Sequence, residues 1–394
     1  MTNTPLRVAV IGAGLGGLCL AHGLCKHGIA VQVYERDASL DARDQGYRLR
    51  IDQQGRAALA ACLPDALFAR FVQTCAVPAP TLNLLDARLE RASDHGVDGW
   101  QAGASDADAD LRADRQRMRA VLLTGLAERV HFGKALTRYE AVDDRAVIAR
   151  FDDGSAVEAD VLIGADGIHS RLRAQRFPDM APIDTGTVCC YGKTWLTAVH
   201  RDAIAAQLQT GTSVIFQPGW AAIIDAMVFR PEHGAGQTIG QVDDYVYWAL
   251  IGQRGALGIA GADDLGWTEA ALRGWLSERV GAWPEPIRAL FERTAPQAAT
   301  LLPVRRSPLP AAWPASRISA LGDALHAMSP AGGKGANCAL YDAQALTEAL
   351  RQVRGPAMAV AAIAAYETQV REHSFAAARA SRDAERQLFS LPDD

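Results

Sequence analysis

The sequence predicts an α/β fold in which a parallel-sheet domain is interrupted by a mainly antiparallel β-sheet domain and followed by a C-terminal helix. A short apolar strand, a glycine-rich turn and a helix-like stretch open the chain and lead into a second strand, which makes one β-α-β unit. Residues 187–250 change to alternating segments with many aromatic side chains, the pattern of a half-buried sheet. Residues 356–388 are rich in alanine and predict the terminal helix.

The chain has the length and composition of a globular protein of two or three domains. Its 394 residues are 49% hydrophobic and 22% charged, which excludes disorder over most of the chain. The 40 basic and 45 acidic residues give a net charge of −5, so we expect no nucleic-acid partner. Lysine occurs only at Lys26, Lys134, Lys193 and Lys334, which leaves no lysine-rich targeting patch.

Cysteine usage and the N-terminal stretch predict a cytoplasmic protein. The seven cysteines show no C-x-x-C pair, so free thiols are expected rather than a zinc or redox-pair site, and no metal is predicted. The apolar stretch Val8–Ala21 is too short and too rich in glycine to span a membrane. We therefore expect no membrane partner.

The elements follow from local patterns taken in chain order. Strands are expected at Leu6–Ile11 and Ile29–Tyr34, with Gly28 ending the helix between them. An acidic, polar surface loop or hairpin tip is expected over 93–110. The other predicted elements are a helix over 115–130, strands over 157–163, 213–216, 221–229, 245–251 and 318–321, and a helix from residue 335.

Residues 12–17 read Gly-Ala-Gly-Leu-Gly-Gly and match the pattern G-x-G-x-x-G between a strand and a helix. Gly12 permits the tight turn, Gly14 leaves room for a pyrophosphate, and Gly17 lets the helix and strand pack closely. The helix N-terminus then offers free N–H groups to the phosphates. Glu35 ends the second strand, where a carboxylate can accept both hydroxyls of an adenosine ribose. This unit predicts an adenine dinucleotide but does not separate FAD from NAD.

Two later segments carry further ligand-binding signals. Residues 161–173 form a strand, an Asp-Gly turn and a helix start, which ordinary turn chemistry explains when taken alone. Residues 321–337 place Asp323 directly after a buried strand, at the sheet edge where ligands bind. The glycines of this segment let the backbone approach a flat ring. The helix that follows can stabilise the negative charge of a reduced flavin.

In order and spacing, the three segments resemble the fingerprints of the single-component (group A) FAD-dependent monooxygenases. This is the family of para-hydroxybenzoate hydroxylase and of the tetracycline-inactivating monooxygenase, which is closest in size. A fourth segment, Asp114–Leu123, is similar to the family's helix whose leading arginine reaches the flavin. The matches span residues 8–343. The resemblance implies a Rossmann-like FAD-binding domain of the GR2 type, with an inserted mainly antiparallel β-sheet substrate domain and a C-terminal helix.

The resemblance also implies which positions hold the cofactor. The first glycine motif, with Glu35 and Arg36, would hold the ADP half, and Arg115 and Asp323 would contact the linker and the ribityl chain. Asp166 and Gly167 belong to a fingerprint that the family shares between FAD and NAD(P)H. The complete set of implied cofactor-binding residues is Gly12, Gly14, Leu15, Gly17, Glu35, Arg36, Arg50, Arg115, Asp166, Gly322, Asp323, Pro330, Gly333, Gly335, Ala336 and Asn337.

Substrate contacts and domain boundaries are implied in the same way. Tyr191, Phe216, Gln217 and Trp220 are expected to face a substrate pocket beside the flavin, with plain core packing as the alternative for each. Arg43 is a candidate contact of the nicotinamide nucleotide, or else an arginine of a solvated loop. The FAD-binding domain is expected over 1–75, 105–180 and 295–355, the substrate domain over 76–104 and 181–294, and the C-terminal helix over 356–394.

The implied chemistry is that NAD(P)H reduces FAD, O2 adds at the flavin, and a flavin C4a-hydroperoxide hydroxylates an aromatic or polycyclic small molecule. No catalytic side chain is assigned, because the cofactor performs the chemistry. The main alternative is a flavin-dependent reductase or dehydrogenase of the same fold without oxygen insertion. A flavin-dependent halogenase is disfavoured because none of the eight tryptophans forms W-x-W. An NAD-dependent dehydrogenase leaves residues 323–337 unexplained. A non-enzymatic binding protein predicts a cofactor site decayed at Asp323 or at the glycines, and neither is altered here. A monomer or weak homodimer is expected.

Overall fold

The computed structural model describes residues 6–40, 42, 47–78, 81–92, 110–142, 146–230, 243–259, 266–308 and 312–389. The nicotinamide candidate Arg43 lies outside these ranges. The predicted polar loop over 93–110 also lies outside them, apart from Asp110. Within the described ranges, no helix is both long and apolar enough to cross a membrane.

A parallel sheet forms the layer that begins at the N-terminus. Its strands are β1 (Arg7–Ile11), β2 (Ala30–Tyr34), β6 (Val130–His131), β10 (Val161–Gly164) and β16 (Ile318–Ala320). They are ordered β16-β10-β1-β2-β6. The apolar runs of β1 and β10 are almost wholly buried, as expected for central parallel strands with helices on their faces.

Helices α1 (Leu15–Lys26) and α10 (Gly335–Arg351) pack against each other beside this sheet. Residues 16–24 of α1 are all buried, because the helix has protein on several sides rather than a solvated face. Both helices begin at the carboxyl edge of the parallel sheet, which is where ligands bind in open α/β sheets.

The second layer is a six-stranded sheet. Its strands are β4 (Leu82–Leu85), β11 (Ile183–Trp195), β12 (Thr212–Gln217), β13 (Trp220–Met227), β14 (Tyr245–Gln253) and β15 (Thr300–Arg306). The order is β15-β11-β14-β13-β12-β4, antiparallel except for the β12–β4 pair. Because side chains alternate across each strand, this sheet has two different faces. One face lies toward the parallel-sheet layer and the other is covered by two helices, α7 (Glu269–Val280) and α8 (Glu285–Glu292).

Two smaller sheets complete the strands that the structure describes. A two-stranded ribbon pairs β3 (Arg48–Ile51) with β5 (Leu111–Asp114), and it lies between the two large sheets. A three-stranded meander contains β7 (Leu136–Val142), β8 (Ala146–Phe151) and β9 (Ala156–Ala159). The remaining helices are α2 (Gln53–Cys62), α3 (Asp65–Thr74), α4 (Arg115–Leu123), α5 (Arg171–Arg176), α6 (Ala198–Ala203), α9 (Asp323–His326) and α11 (Ala359–Phe389).

The predicted fold class is confirmed, including the β-α-β start and the terminal helix, but two predicted elements are wrong in extent. The helix predicted over 115–130 ends at Leu123, because Thr124 leaves the helical conformation and Gly125 takes a left-handed φ of 80°. A 3-10 turn at Ala127–Arg129 then leads into β6. The strand predicted over 157–163 is two strands, β9 and β10. They break at Asp160, whose carboxylate accepts a hydrogen bond from the Arg7 backbone N–H at 2.8 Å.

Candidate functional site

A cavity of about 940 Å³ lies between the carboxyl edge of the parallel sheet and the large antiparallel sheet. Its volume is at the upper end of the range typical of small-molecule sites. The lining comes from the first glycine turn, the ends of β2 and β10, residues 47–50 at β3, residues 134–136, the start of α4, and the segment from Leu321 to Ala339. The large sheet closes the cavity with Cys189, Ile223, Tyr247, Ala249 and Ile251.

The three motif glycines have three different surroundings. Gly12 has a φ of 111°, and a Cβ there would lie 2.3 Å from the Ala165 carbonyl oxygen. A Cβ at Gly17 would lie 2.1 Å from the Gly12 carbonyl oxygen, so the helix and turn touch at this point. A Cβ at Gly14 would meet nothing closer than 4.0 Å. Gly14 also leaves the start of α1 without a side-chain cap. The open space and uncapped N–H groups at Gly14 fit a pyrophosphate.

Glu35 is held rigidly at the same end of the cavity. Its carboxylate accepts hydrogen bonds from the Ala13 N–H at 2.8 Å and the Asp37 N–H at 3.0 Å. Arg119 forms an ion pair with it at 3.3 Å and donates to the Ala13 carbonyl oxygen at 2.8 Å. Arg119 is not among the residues predicted from the sequence. Its spacing of four residues from Arg115 on one helix face was the available signal.

The turn at Gly322 and Asp323 is held in place by a buried ion pair between His326 and Asp342. Gly322 has a φ of 59° and donates its N–H to Asp342 Oδ2 at 2.8 Å. The same oxygen lies 2.5 Å from His326 Nε2. Burial lowers the pKa of His326, but the Asp342 carboxylate outweighs burial and the net pKa is raised. Neither His326 nor Asp342 was assigned a role from the sequence.

Asp323 itself lines the cavity. Enclosure by protein atoms raises the pKa of its carboxyl, against the opposing effect of His326 and Arg115. A Cβ added to Gly335, at the start of α10, would lie 3.8 Å from Asp323 Oδ1. The Asp323 carboxylate and the start of α10 therefore face the same space, where hydroxyl groups and a flat ring system fit side by side.

Asn337, predicted to lie against the ring system, is not among the residues that line the cavity, and its side chain is directed away from it. The side chain is buried and its amide donates to the carbonyl oxygens of Arg50 at 2.9 Å and Gly333 at 3.1 Å. Its Oδ1 accepts from the Asp52 N–H at 3.0 Å. Asn337 therefore ties the glycine loop to β3 instead of contacting a ligand.

The other predicted cofactor positions are brought together around this one cavity. Arg115 lies over the Tyr47 ring at 5.3 Å, and Arg50 forms an ion pair with Asp110 at 3.1 Å. Asp166 accepts a hydrogen bond from the Arg171 N–H at 2.9 Å, at the start of α5. The predicted residues that line the cavity are Gly12, Gly14, Leu15, Gly17, Glu35, Arg36, Arg50, Arg115, Asp166, Gly322, Asp323, Pro330, Gly333, Gly335 and Ala336.

The predicted substrate contacts Trp220 and Gln217 lie on the far face of the large sheet. They oppose each other in the β12–β13 register and so share a face. Trp220 stacks on Trp283 at 5.5 Å with nearly parallel rings, inside the core beneath α7 and α8. These two assignments do not fit the structure, because the alternation of a strand directs every second side chain away from the cavity.

Phe216 and Tyr191 are on the cavity side of the sheet but do not line the cavity. Phe216 belongs to a hydrophobic cluster that includes Leu388 and Phe389 of the terminal helix. The Tyr191 ring packs against the ring of Tyr47, with the two centroids 5.1 Å apart. Tyr47 lines the cavity and separates Tyr191 from it. Sequence analysis missed the residues that do line this part, Tyr47 and Tyr247 among them. Strand parity relative to Tyr191 would have identified Cys189, two positions away.

Comparison with known proteins agrees with this geometry. Residues 297–381 match the FAD binding domain family, and residues 10–54 match the NAD(P)-binding Rossmann-like domain family. These two ranges contain the glycine loop before α10 and the first glycine motif. They therefore coincide with two of the three segments from which the resemblance was inferred.

Relatives that are similar over most of this chain are named as monooxygenases. A dual O-methyltransferase/FAD-dependent monooxygenase of Phaeosphaeria nodorum is 34% identical over 377 residues, covering 86% of this chain and 40% of that protein. The chain spans about two fifths of the length of this and similar dual-function relatives. The 6-hydroxynicotinate 3-monooxygenase of Bordetella bronchiseptica is 29% identical over 393 residues, covering 96% of this chain and 91% of that protein.

Solved structures extend the agreement to the whole fold. A Photorhabdus luminescens protein assigned as an FAD-containing monooxygenase superposes with a TM-score of 0.83 at 27% identity, covering 98% of this chain and all of that one. A salicylate hydroxylase shares the fold, with a TM-score of 0.75 at 20% identity. With the two domain matches and the cavity geometry, these likenesses lead to one conclusion: the chain carries an FAD-binding domain and is similar in sequence and fold to FAD-dependent monooxygenases.

Proposed function

We propose that this chain is a monooxygenase that uses FAD, NAD(P)H and O2 to hydroxylate an aromatic or polycyclic small molecule. The observation that carries the proposal is the single cavity that joins the uncapped start of α1, the Asp323 turn and the start of α10 to an apolar wall of the large sheet. A dinucleotide needs the first three features, and a second, flat molecule needs the fourth.

The FAD would lie along the cavity with its phosphates at Gly14 and its adenosine beside Glu35 and Arg36. Arg115 and Asp323 would contact the middle of the cofactor, and the Pro330–Gly335 segment would lie against the ring system. The start of α10 then stabilises negative charge on the reduced ring through its free N–H groups. Asn337 would act indirectly, by holding this segment against β3.

When bound, FAD supplies the redox chemistry, accepting a hydride from NAD(P)H and activating O2 for transfer of one oxygen atom. The chain's own residues bind, orient and exclude water. Tyr47 and Tyr247 offer aromatic surface for a flat substrate, and Ile223, Ala249 and Ile251 keep the wall beside it apolar. An apolar wall also slows side reactions with water at the site of oxygen transfer.

The domain assignment is part of the same proposal. Residues 1–75, 105–180 and 295–355 would form the FAD-binding domain, 76–104 and 181–294 the substrate domain, and 356–394 the terminal helix. The described parts of these ranges support the division, since the parallel sheet and its helices come from the first set and most of the six-stranded sheet from the second. One edge strand, β15, belongs to the FAD-binding range by sequence but pairs with β11 of the large sheet.

The test is to purify the chain, record its visible spectrum and identify the chromophore released by denaturation. Oxygen uptake and NAD(P)H oxidation are then followed with a panel of phenolic and polycyclic aromatic compounds, and products are analysed by mass spectrometry with 18O2. Bound FAD with 18O in the product supports the proposal. Bound FAD with NAD(P)H-dependent turnover and no 18O incorporation would overturn it in favour of a reductase or dehydrogenase.

A further inference from the structure

Arg48 stands out among the cavity residues because its guanidinium group is only partly satisfied. It lies at the start of β3, beside Tyr47, and its side chain is 10% exposed. Its Nε lies 2.6 Å from Asp225 Oδ2. Among the residues that the structure describes, neither terminal nitrogen of Arg48 has a hydrogen-bond partner.

Within the part of the chain that the structure describes, the buried charges around Arg48 do not balance. Asp225 is fully buried, and its other carboxylate oxygen lies 2.5 Å from Arg112, so two guanidinium groups share one carboxylate. Neighbouring carboxylates are engaged elsewhere. Asp114 forms an ion pair with Lys193 at 2.8 Å, and Asp110 forms one with Arg50 at 3.1 Å. Arg112 is also satisfied by backbone carbonyl oxygens, so the excess positive charge falls on Arg48.

The surroundings of Arg48 suit one kind of ligand group. The positive charge of Arg48 acts on the Tyr247 phenol and opposes the rise of its pKa caused by burial. Tyr247 and Tyr47 both line the cavity and supply aromatic surface on either side of the charge. A guanidinium whose two terminal nitrogens are open presents a planar fork, which matches the two coplanar oxygens of a carboxylate.

We propose that Arg48 is a specificity-determining residue that binds a carboxylate on the aromatic substrate. This rests on the function proposed above and narrows its substrate class to aromatic carboxylic acids. Asp225, itself held by Arg112, fixes the orientation of the Arg48 guanidinium group. Little side-chain entropy is therefore lost when Arg48 binds the substrate carboxylate. An uncharged aromatic compound would leave the excess positive charge unpaired in an enclosed cavity, which is unfavourable.

The experiment measures binding, so it does not depend on turnover. Dissociation constants of 3-hydroxy-2-naphthoate, 3-hydroxy-2-naphthamide, salicylate and salicylamide are measured by calorimetry on the FAD-loaded protein. Each amide matches its acid in shape, but it lacks the negative charge and carries an NH2 donor in place of one acceptor oxygen. We expect the better-fitting acid to bind at least about tenfold more tightly than its amide, the lower range for a charge-assisted hydrogen bond. Equal affinities, or no binding of either acid, would overturn the proposal.

Two variants assign the effect to Arg48. Arg48→Gln is expected to weaken binding of the acid by about ten- to a hundredfold and to change amide binding by less than threefold. Arg48→Lys keeps the charge without the fork and is expected to fall between these values. Arg138→Gln removes the same charge from an exposed site on β7 and should bind like the parent protein. Acid selectivity that survives in Arg48→Gln would overturn the proposal.

The result of this test can be distinguished from the result of the test of the proposed function. FAD content and thermal unfolding are measured for each variant, and Arg48→Gln leaves Asp225 paired with Arg112. Loss of acid selectivity with normal FAD content supports the role of Arg48 whether or not oxygen transfer occurs. If Arg48→Gln does not fold, the acid–amide comparison on the parent protein and Arg48→Lys decides the question.

Discussion

Gly12 and Gly14 stand two residues apart, yet substitution at each should fail for a different reason. Gly12 needs its left-handed backbone, and a Cβ there would lie 2.3 Å from the Ala165 carbonyl oxygen, so a side chain would disrupt the turn itself. Gly14 has an extended backbone that any residue can adopt, and the space beside it is open. A side chain at Gly14 therefore competes with a ligand without straining the chain.

The first prediction uses this difference. Gly14→Val should fold normally and lose FAD binding, because its branched side chain fills the path of the pyrophosphate. The measurement is the ratio of flavin to protein absorbance after reconstitution with FAD. Gly274→Val is the control, since a Cβ at Gly274 on α7 meets nothing within 4 Å. A Gly14→Val protein with normal flavin content would refute the phosphate-loop role of this turn.

The second prediction concerns the pH dependence of the His326–Asp342 ion pair. The folded-state pKa of His326 is raised above its usual value of 6.5. A raised pKa means that the stabilising contribution is fully present below about pH 6.5 and is lost as the pH rises through the folded-state value. The difference in unfolding free energy between the parent protein and His326→Gln should therefore shrink with rising pH.

Urea denaturation of both proteins at several pH values measures this difference. At low pH we expect Asp342→Asn to cost about 3 kcal/mol, because it leaves a protonated His326 buried without its counter-ion. His27→Gln is the control, since His27 is exposed at the C-terminal end of α1. A gap between parent and His326→Gln that grows with pH would contradict the assigned ion pair.

At the scale of elements, alternate residues along the strands of the large antiparallel sheet have different roles. One set lines the cavity and the other packs in the core under α7 and α8. On β14, Tyr247, Ala249 and Ile251 face the cavity, while Trp248 and Leu250 face the core under α7 and α8. The same alternation on β13 places Ile223 in the cavity wall and Trp220 in that core. A single strand thus carries both ligand-facing and structural aromatic residues, and their spacing along the chain decides which is which.

The third prediction follows from this parity. Trp220→Ala should cost about 3–5 kcal/mol of unfolding free energy, because it removes a buried ring stacked on Trp283. Flavin content per folded molecule and affinity for aromatic ligands should stay unchanged. Chemical denaturation and calorimetric binding test the two halves separately. A variant with normal stability and weakened ligand binding would place Trp220 at the substrate instead.

At the scale of the whole molecule, Asp114 joins the two layers. One oxygen of its carboxylate accepts hydrogen bonds from the Gln116 and Arg117 N–H groups and so caps α4 beside the cavity. The other oxygen binds Lys193 at 2.8 Å and the Tyr245 hydroxyl at 2.9 Å on the large sheet. This one buried carboxylate thereby connects the helix that carries Arg115 to the sheet that closes the cavity.

The fourth prediction tests that connection by a double-mutant cycle. Asp114→Asn should destabilise the protein by about 3 kcal/mol, because Lys193 is left buried with an uncompensated charge. Adding Lys193→Met removes that charge, so the double variant should be less destabilised than the sum of the single variants. Urea unfolding of all four proteins measures the coupling. Strictly additive changes would show that the ion pair does not couple the layers.

Much of the fold follows from local pattern because local forces control it. The buried run of β1, the glycine turn and α1 are close in sequence, and Gly12 and Gly17 have the tight contacts that their spacing predicts. Element ends were less accurate, as the early end of α4 at Leu123 illustrates, because one glycine conformation outweighed a continuing apolar pattern.

By itself, the sequence predicted the fold class, an adenine dinucleotide site and fifteen of the residues that line the cavity, and its resemblance to a known family implied FAD. This was possible because phosphate and ring binding require particular residues at fixed short spacings. Only the tertiary structure decided which face of each strand meets the cavity, that Asn337 braces a loop, and that Arg48 shares Asp225 with Arg112. These properties depend on contacts between residues far apart in the chain. Strand register and the balance of buried charges set such contacts, and no local pattern records either one.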